Sequence, residues 1–264
     1  MPLNDQELSL LREIDTPTIC NALEIVSPER RARGFTVRHL HCAFPALAPM
    51  VGYARTARVR AATPPSAGNE DQTAARVAYY RYIDEAPGPT VMVIEDIDTP
   101  PGFGSWWGEV HSNVHRALGA LGVVTSGSVR DLDMIAEGFQ LLSGSVGPSH
   151  AWVQLVDCGG EVNVHGMVTN SGDLIHADRH GDPGAHTHTH AGPDGHSVAN
   201  PDAASHCHAY TPAGPTAGRG HKRNTARVRW QSDDRRRDGH RQHRRKRLAR
   251  GIRCAHRYRD HVRR

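Results

Sequence analysis

The segment GFGSWWGEVHSNVHRALGALGVVTSGSVRDLDMIAEGFQLLSGSV (102–146) carries the clearest structural pattern of the chain. Three closely spaced glycines open it and predict a loop: Gly102, Gly104 and Gly108. Apolar residues then recur at helical spacing and predict a helix with one buried face: Val110, Val114, Leu118 and Leu121. GVVTSG (122–127) is typical of a short strand, RDLDMIAEG (130–138) of a short helix ending at Gly138, and FQLLSGSV (139–146) of the next strand. Helices that alternate with strands predict an α/β domain.

The sequence before this segment extends the pattern. A first helix is expected within residues 4–14, and DTPTICNALEIV (15–26) restarts a helix with Thr16 as its N-cap and Pro17 in its first turn. The second helix is expected to bury three apolar residues: Ile19, Leu23 and Val26. MVGYARTARVRA (50–61) alternates between apolar and polar residues and predicts a half-buried strand.

Further elements follow on both sides of the segment. A helix is expected over 72–83, and TVMVIEDI (90–97) is a compact run rich in Val and Ile that predicts a central strand. WVQLVD (152–157), EVNVHGMV (161–168) and SGDLIHADRHG (171–181) are expected to add strands.

Charge divides the chain into two parts. Residues 1–181 hold 13 arginines, no lysine and 21 acidic residues, for a net charge of −8. Residues 182–264 hold the other 19 basic residues and only 7 acidic ones, for a net charge of +12. We therefore predict an α/β domain over 1–181, followed by a basic tail rich in His and Arg over 182–264.

Composition also bounds the cellular setting. The five cysteines show no paired spacing, and no hydrophobic stretch opens the chain, which predicts a cytoplasmic protein. No run of about 18 apolar residues exists to cross a bilayer, so no membrane partner is expected.

Two stretches of the predicted domain carry chemistry. Glu109 begins a helix after a glycine loop, where unpaired backbone N–H groups and the helix dipole favour an anion. Gly108, Glu109, Val110 and His111 would supply those donors. Arg130 and Asp131 directly follow a strand, as functional residues of α/β folds often do. Arg offers a two-pronged donor for a carboxylate, and Asp offers an oxygen ligand for Mg²⁺; the alternative is a helix cap with a surface ion pair.

Glu109, twenty intervening residues and then Arg130–Asp131 together resemble the signature of the class II pyruvate aldolases that act on 4-hydroxy-4-methyl-2-oxoglutarate, a family related to regulator of ribonuclease activity A. LREIDTPTICNAL, MVGYARTARV, WGEVHSNVHRALGALGVVTSGSVRDLD and SGDLIHADRHG are similar to the same family, so the resemblance covers about residues 7–181. One departure is Ser126, where this family often carries Asp or Asn.

The resemblance implies a layered, swivelling-type β/β/α domain and a role for each site residue. The backbone amides of Gly108 to His111 would bind the carboxylate at the pyruvate end, and Arg130 would pair with that carboxylate or the keto oxygen. Asp131 would hold Mg²⁺ or Mn²⁺ largely through water, while Glu109 would orient that water or relay a proton.

The implied function is a divalent-metal-dependent lyase. It would cleave a 4-hydroxy-2-oxo acid to pyruvate and a second oxo acid, with oxaloacetate decarboxylation as a side activity, because both reactions pass through a pyruvate enolate. The first lysine is Lys222, which agrees with chemistry that forms no Schiff base. The alternatives are a non-catalytic binding protein that docks on a ribonuclease, and an inactive frameshifted product. The family implies a homotrimer or hexamer.

Two weaker candidates lie beside this signature. His111 and His115 are four residues apart on the predicted helix and are conceivable zinc ligands, although no Glu stands in the HExxH position. Trp106 and Trp107 could wall a substrate pocket or simply belong to the core.

Residues 182–264 admit three interpretations. A shift of one base within GDPGAH (181–186) permits Val-Ile-Leu-Val-Pro, the kind of strand with which the family continues, so the segment is interpreted as out of frame. RRRDGHRQHRRKR (235–247) would suit a genuine basic tail on nucleic acid, although aromatic residues are sparse there and a nucleic-acid partner is not expected. The alternating His186, His188 and His190, with Cys207 between His206 and His208, would suit a metal-binding module. Apolar residues are too sparse in this segment to offset the entropy of ordering it, so a disordered tail is predicted.

Overall fold

A computed structural model describes residues 3–66, 68–182 and 184–185. The helices in these ranges are α1 (Asp5–Leu11), α2 (Thr16–Val26), α3 (Asn69–Asp84) and α4 (Glu109–Ala117), with single 3-10 turns at Pro28–Arg30 and Leu132–Met134. The strands are β1 (His41–Cys42), β2 (Met50–Arg60), β3 (Thr90–Asp96), β4 (Ser105–Trp107), β5 (Ala120–Val129), β6 (Gln140–Val146), β7 (Gln154–Cys158), β8 (Val162–Val164), β9 (Met167–Thr169), β10 (Leu174–Ala177) and β11 (Gly184–Ala185). Apart from Asp182 and the short strand β11, the predicted tail lies outside the described residues.

Nine of these strands form one sheet around a parallel centre. The strands β6, β5, β3 and β2 lie side by side in that order, and each adjacent pair is parallel. β1 extends the sheet beyond β6, and β10 and β11 extend it beyond β2, all in antiparallel pairs. β4 pairs with β5, and β7 pairs with β2. The predicted α/β fold is confirmed, with TVMVIEDI in the central strand β3.

The core has two sides because the buried side chains of β3 alternate between the faces of the sheet. Val91 and Val93 pack into a cluster with residues of the β8–β9 hairpin, among them Val164. Met92 and Ile94 pack on the opposite face with aromatic residues of α3. The hairpin, the sheet and the helices therefore form the layered β/β/α arrangement that the resemblance implied.

Several local predictions were wrong. RDLDMIAEG forms only the 3-10 turn Leu132–Met134 and not a helix up to Gly138. The N-cap of α2 is Asp15, whose side chain accepts a hydrogen bond from the Thr18 amide. Thr16 is instead the first helical residue and the only buried residue of α2.

The apolar faces predicted for two helices also differ from the structure. Val26 in α2 is 74% exposed, and Val110 in α4 is 69% exposed. The fully buried residues of α4 are the polar Ser112 and His115, while Val114 and Leu118 are only partly buried against the core. Hydrogen bonds therefore determine which face of α4 is buried, and an apolar periodicity does not reveal them.

The strand β10 anchors the N-terminal helices. His176 contacts the Thr16 hydroxyl through Nδ1 at 3.0 Å and the carbonyls of Leu11 and Ile14 through Nε2. Asp178 accepts a hydrogen bond from the Thr16 amide at 3.0 Å. His176 and Asp178 of SGDLIHADRHG thus bind the N-terminal helices to the sheet. Two strands, β3 and β2, separate β10 from β5.

Asp182 directly follows this region and is buried without compensation. Only 1% of the residue is exposed, and neither carboxylate oxygen has a hydrogen-bond partner among the described residues. Burial and the neighbouring Asp178 raise the pKa of Asp182 well above its usual range. In the part of the chain that the structure describes, no helix is long and apolar enough to cross a membrane.

Candidate active site

The first turn of α4 forms one wall of the candidate site. Gly108 stands directly before the helix, and the amides of Glu109, Val110 and His111 follow in its first turn, where backbone N–H groups lack helical partners. The backbone of Gly108 is extended, a conformation open to any residue. Glycine is needed for space, because a Cβ atom there would lie 2.9 Å from Asp131 Oδ2 and 3.3 Å from Arg130 Cγ.

Strand pairing brings the second wall, Arg130 and Asp131 at the end of β5, next to Gly108. β4 leads into α4 and lies parallel to β5, with Trp107 opposite Val129. The Arg130 amide donates to the Trp107 carbonyl at 2.9 Å, so the end of β5 is bonded directly to the residue before Gly108. The twenty residues between Glu109 and Arg130 thus fold into a helix and a strand that return to the starting point.

Arg130 and Asp131 form a loose, half-exposed pair. Arg130 Nε lies 3.5 Å from Asp131 Oδ2, and about a third of each side chain is exposed. An ion pair this open adds little stability. Asp131 adopts the left-handed conformation, with φ 56° and ψ 37°, at the start of the 3-10 turn. Non-glycine residues rarely hold this conformation, and it is concentrated at functional sites.

Ser112 ties the two walls together, and sequence reasoning missed it. Its hydroxyl donates to the Glu109 carbonyl at 3.0 Å and accepts the Ala136 amide at 3.1 Å. Ala136 follows the 3-10 turn that Asp131 begins, so Ser112 fixes that turn against α4. A serine three residues into a helix gives no signal of this role in the sequence.

Asp96 was also missed, although it holds the loop that leads into β4. Its carboxylate accepts the amides of Gly102 at 2.7 Å and Asp98 at 3.0 Å, and burial raises its pKa. Ser126, the position at which the chain departs from the resembling family, accepts the Asp96 amide at 3.0 Å. This serine therefore supports the loop that precedes the site.

Two histidines line the inner side of α4: His115 is buried, and His111 is partly buried. Burial, with Arg76 and Arg130 nearby, lowers the pKa of His111 to about 4, and burial with His111 nearby lowers the pKa of His115 to about 3. Both imidazoles are therefore uncharged at neutral pH. His115 lies 2.7 Å from the His111 carbonyl through Nδ1 and 2.9 Å from the Tyr79 hydroxyl through Nε2.

These contacts exclude the zinc interpretation of the histidine pair, because both ring nitrogens of His115 are already engaged. In the ranges that the structure describes, no group of three or more His, Cys, Asp or Glu side chains could hold a metal ion. Asp131 offers a half-exposed carboxylate beside Gly108, which suits Mg²⁺ because that ion keeps several waters and needs only one or two carboxylates.

The arrangement brings the N-terminus of α4, a guanidinium and a carboxylate to one place. All six residues predicted for the site lie at the start of α4 or directly after the end of β5: Gly108, Glu109, Val110, His111, Arg130 and Asp131. Such a site can bind a small carboxylate and stabilise negative charge that develops on it.

Solved structures share this fold at low sequence identity. An uncharacterized protein from Pseudomonas syringae pv. tomato matches with a TM-score of 0.54 and 20% identity, covering 70% of this chain and 82% of its own. Streptomyces coelicolor RraAS2, described as an unusual member of the RNase ES inhibitor RraA protein family, matches with a TM-score of 0.54 and 19% identity, covering 70% and 87%. A protein described among novel cellulases from gut-associated microbes matches with a TM-score of 0.55 and 14% identity, covering 70% and 79%.

The family comparison goes further than these likenesses of fold. No protein of curated function matches the chain. A family model described as RraA-like, Aldolase/RraA, matches residues 16–181, which span α2 to β10 and include both walls of the site. The protein therefore belongs to the RraA-like (Aldolase/RraA) family.

Proposed function

We propose that this protein is a divalent-metal-dependent lyase that cleaves a 4-hydroxy-2-oxo acid into pyruvate and a second oxo acid. The same site would decarboxylate oxaloacetate. The observation that carries the proposal is the direct packing of Gly108, before α4, against Arg130 and Asp131. The family includes metal-dependent lyases and also non-catalytic ribonuclease regulators, so the site has to decide between the two.

The first wall of the site, the first turn of α4, would bind the carboxylate of the substrate. The carboxylate at the pyruvate end would accept hydrogen bonds from the amides of residues 108–111, where the positive end of the α4 dipole favours an anion. Arg130 would donate to this carboxylate or to the adjacent keto oxygen. Because Arg130 packs against Gly108, its guanidinium would reach the bound group without a large movement.

Cleavage then needs charge stabilisation and a path for one proton. The bond between C3 and C4 breaks, its electrons pass into the pyruvate enolate, and the C4 hydroxyl loses its proton as it becomes a carbonyl. Arg130 would stabilise the enolate oxygen, and Glu109, half-buried in the first turn, would relay the proton. The enolate finally takes up a proton at C3 to give pyruvate.

Asp131 is the residue that would hold Mg²⁺ or Mn²⁺, largely through water. A bound divalent cation supplies Lewis-acid stabilisation of the enolate. No lysine occurs before Lys222, so residues 1–221 offer no amine for a Schiff-base route to the same enolate.

The test is release of pyruvate, measured through a coupled lactate dehydrogenase assay. The substrates are 4-hydroxy-4-methyl-2-oxoglutarate and oxaloacetate, each with added Mg²⁺ or Mn²⁺ and again with a chelator. Turnover that disappears with the chelator and returns with excess metal supports the proposal. No metal-dependent turnover of either substrate would contradict it and favour a non-catalytic regulator of a ribonuclease.

A further inference from the structure

Arg130 and Asp131, the two charged residues of the second wall, lie beside each other without a hydrogen bond between their side chains. Arg130 Nε lies 3.5 Å from Asp131 Oδ2. By contrast, Arg58 Nε donates to both carboxylate oxygens of Asp157, at 2.9 Å and 3.0 Å. The Arg130 guanidinium is therefore close enough to act on the Asp131 carboxylate by its charge, while it leaves the carboxylate oxygens able to bind another ligand.

The backbone on both sides of the pair fixes this arrangement. The Arg130 amide donates to the Trp107 carbonyl, and the Asp131 carbonyl accepts the Met134 amide at 2.7 Å. Both side chains also pass the same point beside Gly108. A Cβ atom at Gly108 would lie 2.9 Å from Asp131 Oδ2 and 3.6 Å from Arg130 Nε. A ligand held by the first turn of α4 therefore meets both charged groups.

The charges around Asp131 oppose the binding of a divalent cation. An ion on this carboxylate would lie near the Arg130 guanidinium and near the positive end of the α4 dipole. The repulsion between charges of +2 and +1 is twice that between two unit charges at the same distance. Glu109, in the first turn of α4, offsets part of it. The carboxylate of a 2-oxo acid beside Arg130 would offset more, because it pairs with the guanidinium directly.

We propose that Arg130 weakens the binding of Mg²⁺ or Mn²⁺ to Asp131 until the carboxylate of a 2-oxo acid pairs with the guanidinium, so that the metal and the oxo acid bind cooperatively. The inference rests on the proposed function. By linkage, the factor by which the oxo acid tightens metal binding equals the factor by which the metal tightens binding of the oxo acid. The protein therefore holds little metal at Asp131 when the 2-oxo acid is absent.

The decisive measurement is Mn²⁺ binding without any oxo acid, because direct contact between an oxo acid and the ion would also produce cooperativity. Arg130→Met removes the charge and keeps an unbranched side chain, whereas Arg130→Lys keeps the charge. Arg116→Met is the matched control for net charge, since Arg116 is exposed in the last turn of α4. Electron paramagnetic resonance of the free ion measures the binding by the full-length chain. Each protein is also made with Asp131→Asn, and the binding that remains is subtracted because it arises elsewhere in the chain.

We expect Arg130→Met to bind Mn²⁺ at Asp131 about threefold to tenfold more tightly than the wild type, since a unit charge close to a partly solvated carboxylate is removed. Arg130→Lys and Arg116→Met should keep an affinity close to that of the wild type. Pyruvate should tighten Mn²⁺ binding by a larger factor in the wild type than in Arg130→Met. A misfolded variant would bind the ion more weakly, so tighter binding is specific to the inference. Equal or weaker Mn²⁺ binding by folded Arg130→Met overturns it.

A measurement on the unmodified chain decides the question if Arg130→Met does not fold. The ¹H–¹⁵N resonance of Arg130 Nε should shift when Mg²⁺ alone is added, whereas that of Arg58 Nε, in its ion pair with Asp157, should not. Absence of the Arg130 shift while Mg²⁺ binds at Asp131 overturns the inference alone. If Mn²⁺ binding in the presence of pyruvate is the same in the wild type and in Asp131→Asn, the metal site of the proposed function is wrong, and this inference fails with it.

Discussion

At the scale of single residues, Arg130 is the side chain on which the proposed chemistry depends most. Arg130→Ala removes the donor that stabilises the enolate, and we expect kcat/KM for oxaloacetate decarboxylation to fall about 100-fold to 1,000-fold, as when an oxyanion donor is lost. The fold should survive because about a third of the side chain is exposed and its ion pair is loose. The coupled pyruvate assay measures the rate, and circular dichroism checks the fold.

Arg116→Ala is the control for this change, since Arg116 is an exposed arginine in the last turn of the same helix. It should retain the wild-type rate. An Arg130→Ala variant with wild-type kcat/KM would remove Arg130 from the mechanism.

Gly108 tests whether close packing of the two walls matters. In Gly108→Ala the added Cβ would lie 2.9 Å from Asp131 Oδ2, so Asp131 or the helix terminus has to shift. We expect the Kd for pyruvate and the metal requirement to rise at least severalfold. Gly160→Ala is the matched control because a Cβ at Gly160 meets nothing within 4 Å. Calorimetry with pyruvate measures the effect, and equal affinity in both variants would contradict the packing argument.

Asp182 makes the folded state less stable at neutral pH. Its pKa is raised in the folded state, so the unfolded chain loses the proton first, and the cost grows as the pH rises above about 4 toward the raised value. Asp182→Asn removes the ionisation but keeps a polar side chain, so it should stabilise the protein at pH 7 more than at pH 4.

The same substitution at Asp178 should have the opposite effect on stability, because Asp178 accepts hydrogen bonds from the amides of Thr16 and His180. Asp178→Asn weakens these bonds and should lower the Tm at pH 7. Thermal melts of both variants between pH 4 and 8 check the pair. A lower Tm for Asp182→Asn would mean that the carboxylate has a stabilising role.

His111 and His115 give the stability of the fold the opposite pH dependence: it decreases as the pH falls. The pKa values of His115 and His111 are lowered to about 3 and about 4, so the unfolded chain binds protons first as the pH falls below about 6.5. Their contribution to stability is complete above that pH and declines toward pH 4. His115→Gln should reduce the fall in Tm between pH 7 and 5, whereas the same change at the exposed His150 should not. An unaltered fall in His115→Gln would contradict the burial argument.

At the scale of elements, α4 and β5 create the site because the end of β5 lies beside Gly108, where α4 begins. Sequence periodicity predicted both elements, and the parallel pairing of β4 with β5 then places Arg130 beside Gly108. The short turn after Asp131 was predicted as a helix ending at Gly138, but it forms only the 3-10 turn Leu132–Met134. Ser112 holds that turn in place by a hydrogen bond that no periodicity encodes.

Removing the Ser112 hydroxyl tests this link between α4 and the turn that Asp131 begins. Ser112→Ala leaves the Ala136 amide unpaired and should destabilise the protein by about 1–3 kcal/mol, which corresponds to a Tm lowered by about 2–4 °C for each kcal/mol. Because Asp131 begins the released turn, metal-dependent turnover should fall as well. Ser9→Ala, at an exposed residue of α1, is the control. A Ser112→Ala variant with normal stability and turnover would show that the turn keeps its conformation without this hydrogen bond.

At the scale of the whole molecule, the chain changes character after Gly181. The family match ends there, the net charge reverses, and the next residue is the unpaired, buried Asp182. We propose that residues 182–264 are out of frame. Restoring the shifted frame, which permits Val-Ile-Leu-Val-Pro from the Gly181 codon onward, should give a more stable protein that forms a homotrimer or hexamer.

Sequencing the gene across codons 175–190 and comparing both products by light scattering and thermal melts test this proposal. A shifted product with a higher Tm and a larger mass supports it. An unambiguous reading of the present frame, with a stable and active 264-residue enzyme, would make the basic tail a genuine part of the protein.

The sequence by itself determined the order of elements, the central strand β3 and the motif that brings Gly108 to His111 together with Arg130 and Asp131. These features are encoded locally, by periodicity, glycines and spacing. Only the tertiary structure decided that His176 and Asp178 anchor α2, that Ser112 and His115 form the buried face of α4, and that Asp182 is unpaired. Each of these depends on hydrogen bonds or burial between elements distant in the chain, and such contacts exist only once the sheet has assembled.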